Sequence, residues 1–111
     1  MRRTILLAVA ALATAAVAVP ALAATKTVKV GDNYFIKNSG VPKLTVKRGT
    51  TVKWIWRGSA PHNVAVTKGP KKFKSSMKTS GNYTATPHTP GTYTIICTIH
   101  QPGMKMTLVV T

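Results

Sequence analysis

Three side chains that bind soft metal ions fall within the stretch CTIHQPGM, residues 97–104. Cys97 is the chain's only cysteine, His100 follows it after two residues, and Met104 follows His100 after three. Thiolate and thioether sulfur are soft donors and imidazole suits borderline ions, so this set selects copper above magnesium or calcium. The spacing therefore predicts a transition-metal site in one loop.

A trigonal copper site takes two imidazoles and a thiolate in one plane with a weak axial thioether, so the loop requires a second histidine. His62, in SAPHNVAV, follows a tryptophan-rich strand pattern and precedes another strand pattern. His88 lies between two prolines in a turn, a setting that does not suit a ligand. We therefore predict that one copper ion is bound. Its predicted ligands are His62, Cys97, His100 and Met104.

Met106 competes with Met104 for the axial position. The alternation of KMTLVV, residues 105–110, assigns Met106 to a strand, which favours Met104. A Cys–His nucleophile would need a third, orienting residue and an oxyanion motif, and neither is evident in the sequence. Zinc would take more thiolates or histidines, or a carboxylate, and the chain has a single acidic residue.

A periplasmic copper carrier or storage protein stays open as the alternative. Such a protein would use exposed ligands that exchange quickly, and the remaining candidates for that role are Met77, Met106 and His88. These three residues are scattered along the chain, which counts against a second cluster of ligands.

The first 23 residues have the pattern of a secretory signal. Arg2 and Arg3 precede an apolar stretch, residues 5–19, and Ala21-Leu22-Ala23 supplies a small-residue cleavage site. The apolar stretch is shorter than the ~20 residues of a membrane span. We expect a signal peptide over 1–23, a single domain over 24–111, export to the periplasm or cell exterior, and no stable membrane insertion. A lone thiol in an exported protein is prone to oxidation unless it is buried, catalytic or metal-bound.

Residues 24–111 are strongly basic, since fourteen Lys and Arg face one acid, Asp32, for a formal charge of +13. Such a charge says nothing about the fold, but it attracts acidic partners at a rate that salt reduces. Trp54 and Trp56, with Tyr34 and Phe35, could form a stacking platform for single-stranded nucleic acid. The two tryptophans share a strand face with Val52, however, which favours the core and predicts that no nucleic acid binds.

The rest of residues 24–111 indicates strands separated by turns rich in Gly, Pro, Asn and Ser. No window shows the spacing of an amphipathic helix. We predict an all-β, antiparallel Greek-key β-sandwich of seven to eight strands. The predicted strands are 25–30, 43–47, 51–57, 62–66, 71–75, 82–86, 91–97 and 105–111.

These stretches resemble the cupredoxins, small blue-copper proteins of the plastocyanin, pseudoazurin and amicyanin group. The resemblance rests on LTVKRGTTVKWIW, APHNVAV, TPGTYTIICTIHQPGM and MTLVV, which span most of residues 25–111. It implies a monomeric electron carrier that is not an enzyme and that meets an acidic redox protein, such as a cytochrome, an oxidase or a reductase, in a transient complex. The chain departs from the group in the three-residue gap between His100 and Met104, expected to affect the axial bond and the potential. Trp56-Arg57 stand where related chains often carry asparagine, a change expected to alter the neighbouring surface.

The resemblance also implies how the ligands are supported. His62 should be buried with its free ring nitrogen held by a backbone carbonyl, and Asn63 should brace the Cys97 loop. His100 should be the exit for the electron. The apolar patch expected around His100 comprises Pro61, Pro102, Gly103 and Met104.

Overall fold

The computed structural model describes residues 24–35, 42–100 and 103–111, so the predicted signal segment, 1–23, lies outside the described residues. The described chain forms strands and no helix, which confirms the all-β prediction. None of its segments is a helix long and apolar enough to cross a membrane. The strands are β1 (Thr25–Gly31), β2 (Tyr34–Phe35), β3 (Lys43–Val46), β4 (Thr51–Trp56), β5 (Ala65–Lys68), β6 (Asn82–Ala85), β7 (Gly91–Ile96) and β8 (Lys105–Val110).

The strands form two four-stranded sheets, with the orders β2-β1-β4-β6 and β3-β8-β7-β5. The predicted sandwich is therefore present, but its sheets are mixed and not purely antiparallel. β1 runs parallel to β4, and β3 runs parallel to β8. The chain leaves the first sheet after β2, forms β3 in the second sheet and returns as β4, and this excursion lets β4 run in the same direction as β1. Alternation of polar and apolar residues reports faces and carries no information on strand direction.

The core lies between the sheets and is built from alternate residues of the strands. On β4, Val52, Trp54 and Trp56 point inward, with exposed fractions of 0%, 0% and 6%. The Trp54 ring packs on Phe73 and Tyr83, with ring centroids 6.0 and 5.9 Å away. Burial of both tryptophans confirms the core interpretation and removes the nucleic-acid platform, because a stacking surface must be accessible.

The segment after His62 differs from its prediction. β5 begins at Ala65, later than expected, and a bulge interrupts its pairing between Val66 and Lys68. Residues 71–75 are not a strand, although isolated bridges join Lys74 to Ala65 and Lys78 to His62. Irregular segment 70–78 thus lies along the free edge of β5 and shields it.

The strand directions bring the ends of several strands together. β1, β4 and β7 finish at the same end of the sandwich, and β8 begins there because it is antiparallel to β7. His62 follows β4, and Cys97 directly follows β7. The sandwich therefore delivers residues distant in sequence to one place.

Candidate metal centre

His62, Cys97 and His100 bring three donor atoms within 4.8 Å of one another. The Nδ1 atoms of His62 and His100 are 3.1 Å apart, and the Cys97 Sγ lies 3.3 Å from Nδ1 of His100 and 3.9 Å from Nδ1 of His62. His62 and Cys97 are fully buried, and His100 is half-buried. Two imidazoles and a thiol converging on one point suit copper, since the donors are soft or borderline and no carboxylate is among them.

The loop from Cys97 to Met104 is closed by its own backbone. The N–H of His100 donates to the carbonyl of Cys97 at 3.2 Å, and the N–H of Met104 donates to the carbonyl of His100 at 3.0 Å. The N–H of Cys97 returns to the carbonyl of Met104 at 3.2 Å. Residues 101–102, including Pro102 of the expected apolar patch, lie outside the described residues. These backbone hydrogen bonds hold the two ends of the loop together.

The two methionines near the loop are both fully buried, in different surroundings. Met106 lies on β8, and its Sδ accepts a hydrogen bond from Nε1 of Trp54 at 3.4 Å in the core. Met104 precedes the strand and belongs to the loop that carries Cys97 and His100. Its burial removes Met104 from the exposed apolar patch predicted around His100.

Asn63 braces the metal loop, as expected. Its Oδ1 accepts hydrogen bonds from the backbone N–H of Thr98 at 2.8 Å and from the Thr98 hydroxyl at 3.2 Å. Asn63 is buried and directly follows His62. The pair of bonds therefore ties the segment carrying the first histidine to the segment carrying the thiol.

The outer nitrogen of His62 has a partner that the sequence did not indicate. Its Nε2 lies 3.0 Å from Oδ1 of Asp32, a side-chain carboxylate, where a backbone carbonyl was predicted. The Asp32 carboxylate also accepts hydrogen bonds from the backbone N–H groups of Ser59 and Ala60 at 3.0–3.2 Å. Hydrogen bonds from His62, Ala60 and Ser59 lower the pKa of Asp32 from 3.8 to about 2, so the group is ionised at neutral pH.

The backbone of His62 is held from two further directions. It exchanges two hydrogen bonds with Lys78, both of 2.9 Å. The indole Nε1 of Trp56 donates to the carbonyl of His62 at 3.2 Å. Trp56 is thus a core residue, as its strand face predicted, and its indole also fixes the backbone of His62. Trp56 and Asp32 are the two supporting residues whose roles were not predicted.

His88 lies at the opposite end of the sandwich. It lines a pocket of about 330 Å³ together with Phe73, Pro87 and Tyr93. His88 is absent from the donor cluster, in agreement with its predicted exclusion. Met77 is 45% exposed and Met106 is buried, so these candidates for a carrier site do not share one environment.

Comparisons with known proteins agree with this geometry. The family of copper binding proteins described as the plastocyanin/azurin family matches residues 24–111. A plastocyanin of Prochlorothrix hollandica is 32% identical over 84% of this chain and 78% of its own length. Amicyanin-alpha of Methylorubrum extorquens is 35% identical over 88% of this chain and 87% of its own.

Solved structures give the same result. A Cu(I) form of an amicyanin variant superposes with a TM-score of 0.65 at 35% identity, over 86% of this chain and 89% of that one. A reduced amicyanin variant gives a TM-score of 0.67 at 30% identity, over 82% and 86% of the two chains. With two sheets, a buried thiol and two facing imidazoles at one end, the chain belongs to the cupredoxins, the copper-binding plastocyanin/azurin family.

Proposed function

We propose that this protein is an exported electron carrier, not an enzyme, that takes up and passes on single electrons through one copper ion. The observation that carries the proposal is the approach of Nδ1 of His62, Nδ1 of His100 and Sγ of Cys97 to within 3.1–3.9 Å of one another. Bound copper supplies a one-electron couple between its cupric and cuprous states. The residues described below bind it, limit its access to water and connect it to the surface.

Met104 is the proposed fourth ligand. A weak axial thioether completes the His₂Cys donor set of blue-copper sites. Burial of Met104 beside the loop supports this role, and the bond from Trp54 to Met106 occupies the competing sulfur. Three strong ligands and one weak one suit both oxidation states, so the protein has little to rearrange when an electron arrives.

His100 is the proposed exit for the electron, because it is the half-exposed member of the cluster. Beside it, Ile99 is 53% exposed, and Pro61 is also exposed next to His62. An apolar surface around the one accessible ligand favours brief docking, and redox complexes commonly bury less than ~1,200 Å². The surface thus supports rapid association and release.

The proposed partner is an acidic redox protein, met in a transient complex by a monomer of this chain. The end of the sandwich that holds His62, Cys97 and His100 is here called the metal end. Three cations border it, because Arg57 follows β4, Lys78 pairs with His62, and Lys105 begins β8. Opposite charges steer diffusional encounter and orient the partners. These three cations, here called the basic rim, and the exposed Ile99 together support docking at the metal end.

Export is proposed from the first 23 residues of the sequence. A signal peptide cleaved after Ala23 would leave a chain that begins at Ala24. Mass spectrometry of the exported protein should show that N-terminus. Retention of residues 1–23 in the exported protein would contradict the proposed cleavage.

Spectroscopy of residues 24–111 with added copper(II) tests the proposed function. We expect an intense visible absorption from the thiolate–copper(II) bond that bleaches on reduction and returns on oxidation, with a matching electron-resonance signal. Cys97→Ser should abolish the band, because the thiolate is lost. His88→Ala is the matched control and should keep the full colour, since His88 lies at the far end.

Two outcomes would contradict the proposal. Full colour in the Cys97→Ser variant would refute the thiolate ligand. A protein that binds only copper(I) and stays colourless would instead be a copper carrier.

A further inference from the structure

We propose that Asp32 is a positioning residue that fixes the orientation of His62 and, by its negative charge, favours copper(II) over copper(I). This inference rests on the proposed electron-carrier function. Asp32 lies in the turn between β1 and β2, 30 positions before His62 in the sequence, and the fold alone brings the two side chains together.

The contact fixes which nitrogen of His62 faces the metal. An ionised carboxylate can only accept hydrogen bonds, so the 3.0 Å contact requires the ring proton on Nε2. The neutral ring then carries its lone pair on Nδ1, which is the nitrogen that faces Cys97 and His100. A carboxylate partner of this kind also raises the basicity of the ligand.

The carboxylate is itself held in place. Backbone N–H groups of Ser59 and Ala60 bind it from the loop that leads to His62. The carboxylate fits beside Gly58 because this residue has no side chain. A Cβ on Gly58 would lie only 2.1 Å from Oδ1 of Asp32. The carboxylate therefore links the β1–β2 turn to the loop that leads to His62, although the Asp32 side chain is 44% exposed.

Charge gives the contact an effect on the redox couple. Asp32 is the only acidic residue in the chain, so no other carboxylate side chain near the metal shares this role. A negative charge one imidazole ring away from the metal stabilises the ion of higher charge. Removing it should weaken copper(II) binding more than copper(I) binding and raise the reduction potential.

Asp32→Asn tests the charge while it keeps the shape of the side chain. Loss of such outer partners typically weakens metal affinity 10- to 100-fold. We expect copper(II) affinity to fall about 10-fold relative to copper(I), and a tenfold change equals about 59 mV for one electron. Voltammetry should therefore show a higher potential. An unchanged or lower potential in a folded, blue Asp32→Asn variant would overturn the charge role.

Thr25→Lys is the matched control for net charge. It also adds one positive charge, at the exposed start of β1, the far end of the strand that leads to Asp32. We expect a much smaller change in potential from this variant. Equal shifts in Thr25→Lys and Asp32→Asn would show that net charge is responsible, and would overturn the proposal.

Nitrogen-15 NMR of the copper-free protein tests the positioning role without the metal. We expect the His62 proton on Nε2 in the wild type, and a mixture of tautomers in Asp32→Ala. Gly58→Ala provides a second variant, because it displaces the carboxylate without changing the charge of the chain. It should loosen the same Nε2 proton.

A wild-type ring protonated on Nδ1, or the same tautomer in all three proteins, would overturn the positioning role. Failure of the wild type to form a reversible blue site would instead refute the electron-carrier function. The two failures are therefore distinguishable.

Discussion

Met104 and Met106 illustrate how two identical side chains, two residues apart, can have different surroundings. Both are fully buried, but the sulfur of Met106 accepts a hydrogen bond from Trp54 within the core. Met104 ends the loop that carries Cys97 and His100. Their surroundings differ because β8 begins at Lys105, so Met104 lies in the loop and Met106 lies in the strand.

Met104→Leu should leave copper bound and raise the reduction potential, because a weak donor that favours copper(II) is lost. Met106→Leu is the matched control. It should leave the potential close to that of the wild type, but lower the free energy of unfolding by about 1–3 kcal/mol because the buried Trp54 N–H loses its acceptor. Voltammetry and urea unfolding measure the two effects. A shift in potential for Met106→Leu alone would reverse the axial assignment.

At this scale the sequence predicted the cluster of His62, Cys97 and His100 but not all of the residues that support it, and Met104 as the fourth ligand stays a prediction. Cys97, His100 and Met104 share a short loop, and the Pro61-His62-Asn63 motif marked the remaining histidine. Asp32 could not be identified in the same way, because an aspartate followed by asparagine after a strand pattern indicates only a turn. Its contact with His62 depends on the parallel pairing of β1 with β4, which periodicity does not encode.

At the scale of elements, the segment 70–78 pairs with the edge of β5 although it is not a regular strand. The N–H of Val66 donates to the carbonyl of Phe73, and the N–H of Ser75 donates to the carbonyl of Val64. The Ser75 hydroxyl accepts a further bond from the N–H of Val64 at 2.9 Å. Separate hydrogen bonds from this segment, and not a regular strand ladder, therefore satisfy the backbone polar groups of Val64 and Val66.

Sequence periodicity suggested a strand at 71–75 because KKFKS alternates around Phe73. Pro70 lacks a backbone N–H, and the bulge at Val66 and Lys68 shifts the facing register, so a regular ladder does not form. The two-residue strand β2 was not predicted, since a pattern needs about four residues to show alternation. Longer strands were placed within one or two residues because their apolar positions alternate.

Ser75→Ala should lower the free energy of unfolding by about 1–3 kcal/mol, because the fully buried N–H of Val64 loses its acceptor. The neighbouring Ser76 is exposed, and Ser76→Ala is the matched control with an expected effect within about 0.5 kcal/mol. Thermal or urea unfolding of both copper-free variants makes the comparison. Equal stability of the two variants would show that segment 70–78 does not support β5.

At the scale of the whole molecule, the cations differ in their distance from the end of the sandwich that holds His62. Among the described residues, Arg57 and Lys105 lie at the end of the sandwich that holds His62, Lys47 lies at the other end, and the one carboxylate side chain, Asp32, contacts His62. Charges beyond about 10 Å are largely screened at 0.1 M salt. Cations near the metal end should therefore influence electron transfer more than those at the far end.

Arg57→Glu should slow oxidation of the reduced protein by ferricyanide, an anionic oxidant, more than Lys47→Glu does. Both variants change the net charge by the same amount, but Arg57 follows the end of β4 nearest the metal and Lys47 precedes its start. Stopped-flow rates over a range of ionic strengths measure the effect, and the wild-type rate should fall as salt rises. A flat salt dependence, or equal rates in the two variants, would remove the role of the basic rim.

The excess of cations over carboxylates near His62 has a consequence for the proposed electron carrier. Asp32 is ionised at the end where His100 is accessible, but the cations Arg57, Lys78 and Lys105 outnumber it there, so each copy presents a net positive charge at that end. Two such ends repel each other at low salt, which slows exchange between reduced and oxidised copies. In the proposed electron carrier, an electron would then pass to a partner of opposite charge more readily than to another copy of the same protein.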